Sequence, residues 1–178
     1  MPSLNEKQYL SILNEFAENK EDYKYFIETG TYQGETVNNM IPYFDEIYSI
    51  ELNEPFFNNV KKIFASNDKI KLHLGDSSKV LPDVIKSING NAIFFLDGHW
   101  SGGSTSKGEK DVPLLEELDT IINDFKYKSI IIIDDYRLFG TKQNEDWTDI
   151  TINNIKDKVN DKLLKLTTSN DRLILLLK

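Results

Sequence analysis

The chain has 178 residues, of which 39% are hydrophobic and 28% charged, a balance that is typical of one folded domain. Its formal net charge of −8 opposes contact with a nucleic-acid backbone, and the absence of cysteine excludes disulfides and cysteine metal sites. The polar segment 1–20 lacks the apolar centre of a signal peptide, and no apolar run has the length of a membrane span. We therefore expect a cytoplasmic protein with neither a nucleic-acid partner nor a membrane contact.

The predicted elements alternate between helix and strand along most of the chain. Apolar residues at helical spacing predict helices over 4–19, 36–43, 55–65, 78–87, 113–125 and 147–159. Short apolar runs predict strands over 25–28, 46–51, 70–74, 92–96, 129–133, 163–168 and 172–177, the last two joined by a hairpin turn. The alternation indicates an α/β class, with a doubly wound, mostly parallel sheet. We expect one domain over 1–178, with an N-terminal helix in 1–22 and a Rossmann-like core in 23–178.

Parallel α/β sheets bind ligands outside the carboxyl ends of their strands, and polar residues fall at those positions here. The first strand leads into the segment 28–34 (ETGTYQG), in which Gly30 and Gly34 allow a close backbone approach to a ligand. Tyr32 stands where a dinucleotide motif has its second glycine, which disfavours a pyrophosphate. Two glycines alone are equally typical of a plain strand-to-helix turn.

Acidic residues end three of the other predicted strands. Glu51 is suited to accept the hydroxyls of a ribose, although a solvated acid at a strand end fits the same pattern. Asp97, Asp134 and Asp135 follow two strands, and if these strands are neighbours the three carboxylates converge. A divalent cation such as Mg²⁺ would then offset their repulsion. The alternative is that Asp134 caps a turn and Asp97 holds a loop.

His99 directly follows this acidic strand end. An imidazole titrates near neutral pH, which suits a general base or a group that orients an acceptor, although a lone histidine is often structural. The following loop, residues 101–108, is rich in glycine and serine and contains Lys107. Its backbone amides and hydroxyls could hold a phosphate, or it could be a plain surface loop.

Taken in order, these segments resemble the metal-dependent O-methyltransferases, the group that includes catechol and macrolide-sugar O-methyltransferases. The resemblance covers about residues 24–137 and rests on 28–34 (ETGTYQG), 50–53 (IELN), 75–78 (GDSS), 95–97 (FLD) and 133–135 (IDD). It implies a class I methyltransferase that uses S-adenosylmethionine, on a seven-stranded sheet with a C-terminal antiparallel hairpin.

The resemblance also implies roles for individual residues. It implies a cofactor site formed by Glu28, Thr29, Gly30, Thr31, Gly34, Thr36, Glu51, Asp76, Ser77 and Asp97. Within that site the first strand end would line the methionine part, Glu51 would hold the ribose, and Asp76 with Ser77 would flank the adenine. The implied metal ligands are Asp97, Asp134 and Asp135. The lysine base of the catechol branch has no counterpart, so His99 and Asp97 are the catalytic candidates.

The sequence therefore predicts methyl transfer to a hydroxyl of a small acceptor, such as a sugar or nucleotide-sugar, assisted by a divalent metal, with Mg²⁺ expected; a homodimer is left open. Two other classes fit less well. A Rossmann-like nucleotide-sugar oxidoreductase is opposed by Tyr32, and a non-catalytic S-adenosylmethionine-binding module is opposed by the three aspartates.

Overall fold

The strands and helices follow from apolar periodicity, and the computed structural model describes them within residues 3–17, 19–99 and 110–178. The strands are β1 (Tyr23–Thr29), β2 (Glu46–Glu51), β3 (Ile70–Leu74), β4 (Asn91–Leu96), β5 (Ser129–Ile133), β6 (Leu163–Ser169) and β7 (Arg172–Leu177). The helices are α1 (Glu6–Phe16), α2 (Glu35–Met40), α3 (Glu54–Ile63), α4 (Ser77–Lys86), α5 (Leu114–Asp124) and α6 (Ile152–Val159). None of the helices in the described ranges combines the length and apolar character that a membrane span requires.

The seven strands form one sheet in the order β3-β2-β1-β4-β5-β7-β6. Strands β1 to β5 pair in parallel, whereas β7 runs antiparallel to both β5 and β6. Asn170 and Asp171 join β6 to β7 with φ angles of 51° and 62°, the left-handed pair that a tight hairpin turn uses. The predicted fold class, a mostly parallel sheet with a C-terminal antiparallel hairpin, is confirmed.

Both faces of the sheet are covered by helices, which explains why β4 and β5 are apolar at every position after the first. Ile27 and Ile131 face a core formed with α4, α5 and α6, whereas their neighbours Phe26 and Ile132 face a core formed with α1 and α2. Each such side chain contributes about 1.5–3 kcal/mol when fully buried. This two-sided burial fixes the strand register, because a shift by one residue would exchange the two faces.

The structure corrects the start of the last helix, which the apolar spacing had placed at Trp147. Helix α6 begins only after Thr151, whose hydroxyl accepts a hydrogen bond from the Asn154 backbone N–H at 3.1 Å. Before that cap the chain folds into turns, in which the Gly140 N–H donates to the Trp147 and Ile150 carbonyls. Trp147 is apolar because its side chain is buried in this loop, not because it belongs to a helix.

One edge of the sheet collects the carboxyl ends of all five parallel strands. Because β7 is antiparallel, it begins at that same edge, where Leu173 pairs with Ile133. Arg172, the first residue of β7, is therefore brought to the end of β5. The polar residues at this edge define the candidate site.

Candidate active site

The turn after β1 approaches the β4 end so closely that it requires glycine. Gly30 has a φ of +85°, and its N–H donates to the Ile50 carbonyl at 2.9 Å. A Cβ at this position would lie 2.4 Å from the Asp97 carbonyl oxygen. Gly34 has a φ of +78° and directly precedes α2. The two glycines thus shape a tight strand-to-helix turn at the cofactor edge.

Glu51 is buried at the end of β2, and both of its carboxylate oxygens are held by backbone amides. Its Oε2 accepts a hydrogen bond from the Tyr32 N–H and its Oε1 accepts one from the Asn53 N–H, each at 2.7 Å. Tyr32 has a φ of 48°, so this contact supports a left-handed residue in the turn. Each carboxylate oxygen retains a further lone pair with which it can accept a hydroxyl.

Glu28 lies beneath the turn. Burial raises the pKa of Glu28 to about 8, against the opposing effect of a hydrogen bond that Ser49 donates to its Oε2 at 2.7 Å. The Thr31 hydroxyl lies 2.6 Å from the Ser49 hydroxyl, and Thr36, also buried, favours the charged form of Glu28. Glu28 and Thr31 therefore join β1, β2 and the turn in one buried polar chain.

Asp76 and Ser77 stand at the start of α4 and lie close to a carboxylate that the sequence analysis missed. Asp76 caps the helix by accepting the Ser78 N–H at 3.0 Å. Ser77 is buried beside Glu117 of α5; burial raises the pKa of Glu117 to about 7, while the Ser77 and Thr29 hydroxyls oppose that rise. The signal in the sequence was a glutamate on the apolar face of α5, between buried leucines.

Three side chains converge where β4 and β5 end side by side. The His99 Nε2 lies 2.6 Å from Asp135 Oδ2 and 3.5 Å from Asp97 Oδ1. These three atoms are buried, and none has a hydrogen-bond partner of normal geometry in residues 3–17, 19–99 and 110–178. Asp135 adopts a left-handed φ of 58° and its other oxygen accepts from the Arg137 guanidinium. The sequence analysis required the strands before Asp97 and Asp135 to be neighbours, and β4 does pair with β5.

Both ring nitrogens of His99 are engaged by acids. Nδ1 lies 2.8 Å from Glu145 Oε2, and Nε2 faces the two aspartates. Burial alone would lower the pKa of His99, but Asp135 and Asp97 outweigh it and raise that pKa to about 10. A general base must be unprotonated and free to reach its proton, so this geometry favours a held ring over the predicted base.

Asp134 does not join the three converging side chains. Its Oδ1 accepts from the Arg172 Nε at 3.1 Å and from the Asp135 N–H at 3.0 Å. Arg172 also donates from Nη1 to the Gln8 side-chain oxygen of α1 at 2.9 Å. The structure thus gives Asp134 a structural ion pair that links the sheet to α1.

Two further residues of this site come from the loop that precedes α6. The Glu145 carboxylate accepts from the Trp147 Nε1 at 2.7 Å on the oxygen that faces His99. The Trp147 ring packs edge-on against the His99 ring, with centroids 5.2 Å apart. No motif marks this pair, because it depends on the loop folding back over β4. The predicted phosphate-binding loop 101–108 lies outside the described residues.

No known sequence-family model matches this chain, and no curated protein sequence matches it. Solved structures do match. A candidate caffeoyl-CoA O-methyltransferase from Staphylococcus aureus has a TM-score of 0.64 at 12% identity, covering 99% of this chain and 85% of that one. A candidate rRNA methylase from Clostridium thermocellum has a TM-score of 0.63 at 12% identity, covering 100% and 99%.

A third match is a candidate methyltransferase from Streptococcus mutans in complex with SAH, with a TM-score of 0.59 at 12% identity, covering 99% of this chain and 98% of that one. At this identity the likeness establishes that the chain has the methyltransferase fold. The names of these neighbours include both a small-molecule and an RNA acceptor. The expectation of no nucleic-acid partner therefore finds no support in the fold and rests on net charge alone.

Proposed function

We propose that the chain is an S-adenosylmethionine-dependent methyltransferase. The observation that carries this proposal is the pairing of the Gly30 turn with the buried Glu51 carboxylate across adjacent strand ends. Its support from other proteins is the shared fold, one example of which is in complex with SAH. The donor set fits the cofactor: a tight glycine turn beside the β4 end, a fixed carboxylate suited to ribose hydroxyls, and the buried acid Glu28 next to that turn.

In the proposed reaction, this chain's residues bind and orient the two substrates. Glu51 would accept the ribose hydroxyls, and the Gly30 turn would position the methionine part so that the methyl group faces the β4 end. Bound S-adenosylmethionine supplies a methyl group on a positively charged sulfur. The acceptor hydroxyl loses its proton to solvent, its oxygen bonds to the methyl carbon, and the carbon–sulfur bond breaks with its electron pair left on sulfur, which releases S-adenosylhomocysteine. Orientation of this kind can lower a barrier by roughly 7–11 kcal/mol.

We further propose that the acceptor is a small molecule with a hydroxyl, such as a sugar or nucleotide-sugar, and that a divalent cation takes part. A net charge of −8 supports a small acceptor over an RNA backbone. One buried oxygen each of Asp97 and Asp135 has no hydrogen-bond partner in the part of the chain that the structure describes, which supports a cation at the β4 and β5 ends. A cation bound there would favour loss of the hydroxyl proton.

Two measurements test the proposal. Calorimetry should detect binding of S-adenosylmethionine and S-adenosylhomocysteine but not of NAD, because Tyr32 occupies the glycine position that a pyrophosphate needs. Transfer of a radiolabelled methyl group should then be measured against sugars, nucleotide-sugars and ribosomal RNA. Binding of NAD alone would favour the oxidoreductase, and labelling of RNA alone would overturn the small acceptor while retaining methyl transfer.

A further inference from the structure

The β4 and β5 ends hold three buried acceptor atoms with nothing between them. Asp97 Oδ1, His99 Nε2 and Asp135 Oδ2 come from different side chains and lie within 4.8 Å of one another. Within the described residues none of them makes a hydrogen bond of normal geometry, although Nε2 and Asp135 Oδ2 are 2.6 Å apart. The side chains of His99 and Asp135 are only 4% and 1% exposed. Unpartnered buried polar atoms are costly, which indicates that this cluster is built around a further species.

The His99 ring has the support that metal-binding imidazoles commonly have. Its Nδ1 lies 2.8 Å from Glu145 Oε2, and Trp147 fixes that same oxygen from the other side at 2.7 Å. When Nδ1 donates its proton to Glu145, the lone pair of Nε2 faces the two aspartates. A carboxylate behind the imidazole is the arrangement that fixes the tautomer and orientation of a histidine ligand.

The neighbouring Asp134 is already neutralised and points elsewhere. Its side chain is 6% exposed and pairs with Arg172, which is 2% exposed, at 3.1 Å. Its Oδ1 additionally accepts the Asp135 N–H. A ligand set that used Asp134 would have to break its buried ion pair with Arg172, whereas the set that uses His99 requires a cation to replace the proton between His99 Nε2 and Asp135.

We propose that Asp97, His99 and Asp135 bind a divalent cation, with Glu145 as a positioning residue for His99, and that Asp134 is not a ligand. One imidazole with two carboxylates suits a first-row transition ion such as Mn²⁺ better than Mg²⁺ or Ca²⁺, which take oxygen ligands. The role of this ion in methyl transfer rests on the proposed function, but its binding does not.

The test is Mn²⁺ binding to the full chain after treatment with EDTA, followed by electron paramagnetic resonance and calorimetry. We expect one site, with Mg²⁺ weaker by at least about tenfold. His99→Ala and Asp135→Asn should weaken Mn²⁺ binding by more than about 100-fold, and Glu145→Gln by about 10–100-fold. Asp134→Asn, the matched control at the adjacent position, should bind Mn²⁺ as the wild type does.

A spectroscopic measurement on the wild type guards against variants that fail to fold. Bound Mn²⁺ should show hyperfine coupling to a directly coordinated nitrogen, which only an imidazole ligand explains among these residues. Absence of that coupling, or loss of Mn²⁺ binding in Asp134→Asn with retention in His99→Ala, would overturn the ligand set. Binding of S-adenosylmethionine is measured in parallel. If the chain binds Mn²⁺ but not S-adenosylmethionine, the proposed function fails and this inference stands. If it binds S-adenosylmethionine but not Mn²⁺, this inference fails and the proposed function stands.

Discussion

Replacement of Arg172 by methionine tests whether the buried pair at the β5 end is structural. Arg172 and Asp134 are 2% and 6% exposed, and the Arg172 Nε lies 3.1 Å from Asp134 Oδ1. Methionine preserves much of the side-chain volume but leaves the Asp134 carboxylate without its cation. Removal of one partner from a buried pair costs about 3–5 kcal/mol. For a chain of this length, that cost corresponds to a fall in Tm of about 6–20 °C.

The assay is denaturant unfolding, with scanning calorimetry for Tm. Lys24→Met is the matched control, because Lys24 and Asp45 form an ion pair at 3.8 Å whose side chains are 63% and 70% exposed. Such an exposed pair contributes about 0–1 kcal/mol, so this variant should unfold close to the wild type. The double variant Arg172→Met/Asp134→Asn should recover much of the lost stability, because no buried charge is then left unpaired.

Two outcomes would refute the reasoning. If Arg172→Met cost no more than Lys24→Met, the buried geometry would not carry the expected energy. If the double variant were no more stable than Arg172→Met, the loss would come from the Gln8 contact or from packing against Phe95, not from an unpaired Asp134. Either result would return Asp134 to consideration as a metal ligand.

Three further predictions concern the cofactor edge. Glu51→Ala should weaken S-adenosylmethionine binding by about 1.5–3 kcal/mol in calorimetry, because a charged acceptor of the ribose hydroxyls is lost; unchanged affinity would remove Glu51 from the site. Gly30→Ala should lower Tm by calorimetry and abolish cofactor binding, since its Cβ would lie 2.4 Å from the Asp97 carbonyl oxygen; normal binding would contradict the close approach. Glu117 has a pKa raised by burial to about 7, so its contribution to wild-type stability should decrease as the pH rises from about 4.5 to about 7. The free energy of unfolding of Glu117→Gln minus that of the wild type should therefore be larger at about pH 8 than at about pH 5. An equal difference at both pH values would contradict the raised pKa.

The class of the sheet and its polar edge could be predicted because they depend on local patterns. Short apolar runs such as 129–133 alternate with helical spacing, and parallel pairing then places Glu51 and Asp97 at one edge. The carboxyl ends of parallel strands lie at one edge of the sheet, so a motif that follows a predicted strand can be placed at that edge from the sequence. The start of α6 was wrong because Trp147 has an apolar side chain that is buried by the loop fold rather than by a helix face.

The partners of individual acids could not be predicted, because they depend on which face of the sheet each side chain reaches. Asp134 continues the alternation of β5 toward the α1 face, where Ile132 also lies, and there it meets Arg172. Asp135 has a left-handed φ of 58°, which breaks the alternation and directs its carboxylate toward His99. The sequence shows two adjacent aspartates but not this change of direction.

The buried acids of this edge are compensated in different ways, and the differences separate their roles. Glu28 has a pKa of about 8 because of burial, so at neutral pH it is mostly protonated and adds little negative charge. Glu51 is held by two backbone N–H groups, which leaves a fixed carboxylate with free lone pairs. Asp134 has the Arg172 guanidinium. Each of these three acids is satisfied within the chain.

Asp97 and Asp135 differ from the other three, because the groups around them do not complete their coordination. Arg137 contacts the outer oxygen of Asp135, whereas the inner oxygen faces His99 and Asp97. A proton on His99 would supply one positive charge, which two aspartates would share. A divalent cation bound there would supply two positive charges and would be held by all three atoms. The uncompensated charge of Asp97 and Asp135 thus supports the same ligand set as the geometry of His99.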